Sequence, residues 1–152
     1  MKKLSPLMLA LMLGLPLAAP LQAADTETTP AANVQNNDFA TGKQAIQAKN
    51  WGAAIAAFQK VVARDPKNAD AHNYLGYSYR WQGKMEESFK HYNQALQLDP
   101  KHRGAHEYIG VAYLKTNQPA KAREHLAQLE KICGKDCDEY KDLSKAIAAS
   151  GK

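Results

Sequence analysis

The chain has 152 residues, 45% of them hydrophobic and 23% charged, with a formal net charge of +5. That length suits one compact domain or one short repeat array. Its 20 basic residues are interspersed with 15 acidic ones rather than gathered in a stripe, so nucleic acid is not the expected partner.

The first element is a secretory signal over residues 1–23. Lys2 and Lys3 form a basic start, Leu7 to Leu17 an apolar run, and the small residues Ala23 and Ala24 precede Asp25. Cleavage is expected after Ala23 or Ala24, which predicts export, with the periplasm as destination. The apolar run is short for a bilayer span and is broken by Gly14 and Pro16. No cysteine follows it for lipid attachment, so stable membrane insertion of the mature chain is not expected. Taking Lys2 and Lys3 from +5 leaves +3. Residues 24–37 include DTETTPAANVQNN, with Val34 the one aliphatic side chain larger than alanine. Such a segment buries too little to offset its ordering entropy, and a flexible linker is predicted.

Beyond the linker a period of 34 residues takes over. It joins Gly42, Gly76 and Gly110; Pro66 and Pro100; Phe58, Tyr92 and Leu126; Val61, Ala95 and Leu129; and Ala54, Ser88 and Ala122. Such a period is the mark of stacked helical hairpins. The first repeat, 35–68, is degenerate: Thr41 and Ala45 replace a bulky apolar residue and a tyrosine. Its second helix, Trp51 to Arg64, carries Ile55, Phe58, Val61 and Val62 on one face. In the second repeat, 69–102, a helix is predicted from Ala69 to Gln82 with His72, Leu75, Gly76 and Tyr79 on its packing face. Gly83 stops it in a left-handed conformation. A second helix, Met85 to Leu98, packs through Phe89, Tyr92, Ala95 and Leu96, and Asp99-Pro100 ends it. Gly76 and Ser88 are small where the two helices must approach closely. The third repeat, 103–136, packs through Ile109, Gly110 and Tyr113, then Ala122, Leu126 and Leu129, with Pro119 early in its second helix. Residues 138–150 form a capping helix with Tyr140, Leu143, Ala146 and Ile147 on its apolar side.

These positions resemble the tetratricopeptide repeat family, whose motif is W-x2-L-G-x2-Y, A-x3-F and P. The second repeat carries Leu75-Gly76, Tyr79, Ser88, Tyr92, Ala95 and Pro100 in register, with His72 for the tryptophan. The third carries Ile109-Gly110, Tyr113, Ala122, Leu126 and Leu129, with Gly134 in place of proline. The resemblance implies an all-α solenoid of three helical hairpins plus a C-terminal capping helix, a domain spanning 38–150.

Cys133 and Cys137 are the only cysteines, and in an exported chain the even pair reads as a disulfide stapling the cap. The C-x3-C spacing departs from redox C-x-x-C motifs, and Asp138 rather than histidine follows, against covalent haem. His72 and His106, like His91 and His125, are 34 apart. Repeat equivalence explains them as packing residues, and no metal site or cofactor is expected. No serine sits on a strand-turn elbow and no phosphate loop is present, so catalysis is not expected.

The candidate site is the groove that the resemblance assigns to the first helices. Its residues are Phe39, Lys43, Ile46 and Gln47; then Asn73, Tyr77, Arg80 and Trp81; then Glu107, Val111, Leu114 and Lys115. Relatives that clamp a C-terminal carboxylate use Lys, Asn and Arg here. Phe39, Tyr74, Gly104 and Tyr108 occupy several of those places and only Lys43 remains, so that mode is not expected. The functional expectation is a non-catalytic adaptor of the bacterial envelope that binds a peptide or helix of another protein. Alternatives are a maturation factor holding an unfolded client such as an apocytochrome, a thiol–disulfide protein using Cys133 and Cys137, and a self-associating scaffold.

Overall fold

The computed structural model describes residues 31–151, which form seven helices: α1 (Ala31–Gln47), α2 (Trp51–Arg64), α3 (Ala69–Trp81), α4 (Met85–Leu98), α5 (Arg103–Lys115), α6 (Pro119–Cys133) and α7 (Asp138–Ser150). The signal segment lies outside the described residues. The linker expected to reach residue 37 is corrected: α1 already begins at Ala31. Asparagine-rich residues with weak periodicity gave no helical signal, yet they extend a helix that is anchored further on. Asp38 in α1 pairs with Arg64 of α2, and Phe39 packs into the first core. None of the described helices is long and apolar enough to cross a membrane.

The helices stack as consecutive antiparallel pairs, α1 with α2, α3 with α4 and α5 with α6, each pair packing on the next. Backbone punctuation explains the spacing. Lys49, Gly83 and Asn117, 34 residues apart, each adopt a left-handed φ, of 55°, 76° and 57°. At each the chain closes the helix with two crossed bonds. At Gly83 these run from Lys84 N–H to the Tyr79 carbonyl (3.0 Å) and from Gly83 N–H to that of Arg80 (3.1 Å). The next helices start on side-chain caps: Asn50 accepts from Ala53 N–H, Asn68 from Ala71 and His102 from Ala105.

Within a pair, glycine meets a ring. A Cβ on Gly42 would stand 2.6 Å from the Phe58 ring, and one on Gly76 would stand 2.6 Å from that of Tyr92. Ser88 Oγ donates to the Gly76 carbonyl at 2.8 Å, fixing the same crossing with a polar contact. In the third repeat the smaller Leu126 stands at the ring position, and the nearest neighbour of Gly110 is Leu143 of α7. Leu75, Ile109 and Leu143 lie 34 residues apart and are all fully buried. The capping helix is therefore the first helix of a fourth repeat, packed on α5 and α6. Cys133 and Cys137 are joined across the α6–α7 turn, their Cα atoms 5.9 Å apart.

Two histidine pairs repeat along the stack. His72 Nε2 lies 3.1 Å from the Pro66 carbonyl, so it must donate there. The lone pair of its Nδ1 then receives the Nδ1–H of His91 at 3.1 Å. His106 and His125 repeat the arrangement at 2.9 Å, with His106 Nε2 on Pro100. The second imidazole of each pair stacks on a tyrosine, His91 on Tyr79 and His125 on Tyr113. Neutral rings suit this geometry. Burial, then the partner histidine, pushes His91 and His125 down to about 4, and burial also lowers His106.

Gly76→Ala destabilises the fold by about 1–3 kcal/mol through overpacking. Gly52→Ala, where the added carbon meets nothing closer than 3.9 Å, stabilises it by up to about 1 kcal/mol. Urea unfolding of the two variants checks both signs. The unfolded chain takes protons on His91 and His125 near pH 6.5, whereas the folded chain resists until about 4. Their contribution to stability is thus complete above about pH 6.5 and is lost as pH falls towards about 4. In His91→Gln/His125→Gln the urea midpoint falls less over that window than in the wild-type chain.

Candidate functional site

The first helices α3, α5 and α7 share one side of the stack, and there the 34-residue identity breaks down. At one end of this side lies a cleft of about 390 Å³, whose lining includes Asp70, Asn73, Tyr74, Glu107, Tyr108 and Glu139. At the other end lies an aromatic cluster. Trp51 and Trp81 stack at 5.3 Å and 8°. Tyr77 touches both, at 6.1 and 6.2 Å. Tyr77 also meets Tyr108 at 5.0 Å, so Tyr108 belongs to the cleft and to the cluster and joins them.

Cations frame the cluster. The Arg80 guanidinium carbon lies 5.1 Å from the Tyr77 ring centre and 5.5 Å from that of Trp81. Lys115 Nζ lies 5.7 Å from the Trp81 ring centre. Arg80 is only 7% exposed, and its Nε donates to Tyr92 Oη at 3.4 Å. Burial raises the Tyr92 phenol to about 12, so it remains a neutral acceptor. Trp81, at 48%, is the one large hydrophobic side chain exposed among the described residues.

The cleft end is rich in acceptors. Asp70 pairs with His102 Nε2 at 3.1 Å, and Glu139 pairs with Arg103 at 3.5 Å. Glu107 has neither a hydrogen bond nor a salt bridge within the described residues. Burial, then Asp142 and Glu139, raises its carboxyl to about 7 against the pull of Arg80. Asn73 is 3% exposed and its Oδ1 is buried with no donor. One further group of donor atoms, Cys133, Cys137 and Glu139, lies close together, but its two sulfurs are joined to each other.

The structure divides the residues expected to line a groove. Tyr77, Arg80 and Trp81 come together in the cluster, and Asn73 and Glu107 meet at the cleft. Phe39 departs from the expectation. It sits edge-on to Phe58 (5.4 Å) and Tyr74 (5.7 Å) and belongs to the first core. Ile46 packs on that same core. Lys43 is exposed, with its Nζ 5.8 Å from the Tyr74 ring centre, and Gln47 is exposed. Val111 and Leu114 are half-buried. Asn73 and Arg80, expected to line the groove, are buried. They belong to the wall of the site, because α5 leans over α3. Trp51 was missed. It opens a second helix, so the first-helix pattern does not include it.

Tetratricopeptide repeat models match residues 39–103 and 82–147. No curated protein sequence matches the chain. Among solved structures, the chain is similar to the TPR2B domain of yeast Sti1 in complex with an Hsp70 peptide. The TM-score is 0.72 at 16% identity, covering 78% of this chain and 97% of that one. It is similar to the second TPR domain of human RPAP3 in complex with the HSP70 peptide SGPTIEEVD, with TM-score 0.69 at 17% identity, covering 80% and 98%. It is also similar to MamA from Desulfovibrio magneticus, with TM-score 0.62 at 22% identity, covering 67% and 58%. At these identities the structural likeness carries the fold alone.

The carboxyl of Glu107 gives the site a pH signature. An unfolded glutamate loses its proton near pH 4.3, whereas the folded one holds it to about 7. Its contribution to stability is present at low pH and is lost as pH rises through that window. Glu107→Gln is therefore more stable than the wild-type chain above pH 7, and the advantage vanishes in acid. The difference between the two urea midpoints against pH isolates this effect from that of the histidines.

Proposed function

Because the chain belongs to the tetratricopeptide repeat family, we propose that it is a non-catalytic adaptor that binds a peptide or helix of another protein across the α3, α5 and α7 side. Trp81 carries this reading. A large aromatic left 48% exposed, held by a stacked tryptophan and flanked by Arg80 and Lys115, has the composition of an interface hot spot. Its repeat equivalents, Gln47 and Lys115, share none of that character, so packing of the repeat does not explain it. The peptide complexes of the yeast and human relatives support a protein partner. The expected signal segment supports action in the bacterial envelope after export. Cys133 and Cys137 then serve as an oxidised staple between α6 and α7, a role supported by a Cα separation of 5.9 Å.

The test is affinity capture from envelope extract with wild-type chain and with Tyr77→Ala/Trp81→Ala. Loss of a hot-spot aromatic costs about 2 kcal/mol or more, so recovery of the partner falls at least tenfold while the far-ultraviolet circular dichroism spectrum is unchanged. Equal recovery by both chains would refute the site.

A further inference from the structure

Resting on that reading of the site, we propose that the cleft at the N-terminal ends of α3 and α5 is a subsite for a cation, the guanidinium of an arginine in the bound segment. Four observations point there. First, two acceptor side chains of the cleft lining, Asn73 and Glu107, are without partners among the described residues. Asn73 is 3% exposed with an unpaired Oδ1. Glu107 has no hydrogen bond or salt bridge within the described residues, whereas Asp70 and Glu139 are matched by His102 and Arg103. A buried acceptor with no donor is left without the bonds it makes in water, and a ligand bearing several N–H groups restores them.

Second, the field is negative. Glu139 and Asp142 of α7 act on Glu107, and Arg80 opposes them from α3; the lining itself holds Asp70, Asp99, Glu107 and Glu139 against Lys101 and Arg103. Lys101 is exposed. An anion would meet this carboxylate group, whereas a cation completes it. Third, the walls are aromatic. Tyr74 and Tyr108 line the cleft, and Lys43 Nζ already sits 5.8 Å from the Tyr74 ring centre, so that ring draws cations in this molecule. Fourth, the cleft has room for such a group, and Gly104 is part of its lining. The volume, about 390 Å³, lies in the range of small-ligand sites, about 300–1,000 Å³.

A guanidinium fits this donor demand better than an ammonium. Its planar fork gives two parallel bonds to the Glu107 carboxylate and leaves further N–H groups for Asn73 Oδ1. Asn73 Nδ2 is the end of the carboxamide that faces Gly104; a flip about χ2, a soft torsion in asparagine, exchanges it for Oδ1 on binding. Through Tyr108 and Tyr77 the cleft leads to Trp81, so the proposed partner segment carries an arginine and, further along, an apolar or aromatic residue. The peptide of the human relative, SGPTIEEVD, has no basic residue, so the subsite sets this chain's preference apart from that ligand.

The experiment is a nuclear magnetic resonance titration of the full mature chain with N-acetyl-L-arginine methylamide, at a pH above the value of about 7 for Glu107. The Asn73 side-chain amide and the Gly104 backbone amide are the reporters. Saturable shifts at both are expected, and Glu107→Gln raises the dissociation constant at least tenfold. The neutral citrulline analogue should produce no saturable shift. Absence of saturation with the arginine probe, equal binding of the citrulline analogue, or unchanged affinity in Glu107→Gln overturns the subsite. Because capture through Tyr77 and Trp81 is read separately, a failed subsite leaves the adaptor reading standing. Arginine binding without Trp81-dependent capture would refute the adaptor reading and leave the subsite.

Discussion

The close approach of two helices at a glycine is the constraint on which the rest of the structure depends. At Gly42 and Gly76 the space of an absent Cβ is filled by the ring of Phe58 or Tyr92. Each ring is fully buried, so one contact both sets the helix separation and supplies a large apolar burial. Dense interiors tolerate little change in volume, and this makes the crossing a fixed distance rather than a loose preference. Ser88 adds direction by bonding the Gly76 carbonyl. With the crossing fixed, the turn must be short, and the left-handed residues Lys49, Gly83 and Asn117 make it so.

Polar groups order the stack without weakening it. The two histidine pairs place their inner imidazoles on proline carbonyls and their outer ones on tyrosines. Each satisfies a buried or half-buried polar ring with a neutral partner and avoids the cost of a desolvated charge. The same rule makes the cleft stand out. There, among the described residues, Asn73 Oδ1 is the one buried side-chain polar atom without a partner, beside a carboxyl that burial holds partly protonated at physiological pH. Polar groups that folding leaves unsatisfied are where a repeat protein has room for a ligand.

Much of the fold was legible. The helices α2, α4 and α7 begin and end where periodicity, Asp-Pro pairs and apolar stripes place them, because those signals are local. The start of α1 was not legible, since residues 31–37 carry little helical pattern. The fourth first helix was legible only in part. Its apolar stripe was plain, but its register with Leu75 and Ile109 became meaningful only when Leu143 was seen against Gly110. For the site, Tyr77, Arg80 and Trp81 stood out because they break the repeat. Phe39 broke it as well and proved to be core, where it packs against Phe58 and Tyr74.

The sequence by itself determined the repeat, its helices and the kind of molecule, because a 34-residue period, a glycine facing a ring and a proline stop act over short stretches of chain. Tertiary structure alone decided which of the non-repeating residues remain available. Stacking α5 on α3 and α2 beside α3 buries Arg80 and Asn73, sets Trp51 against Trp81, and brings Glu107 to the cleft that also contains Asn73. Those outcomes depend on how neighbouring repeats lean on one another, and that angle comes from the summed packing of side chains far apart in the chain.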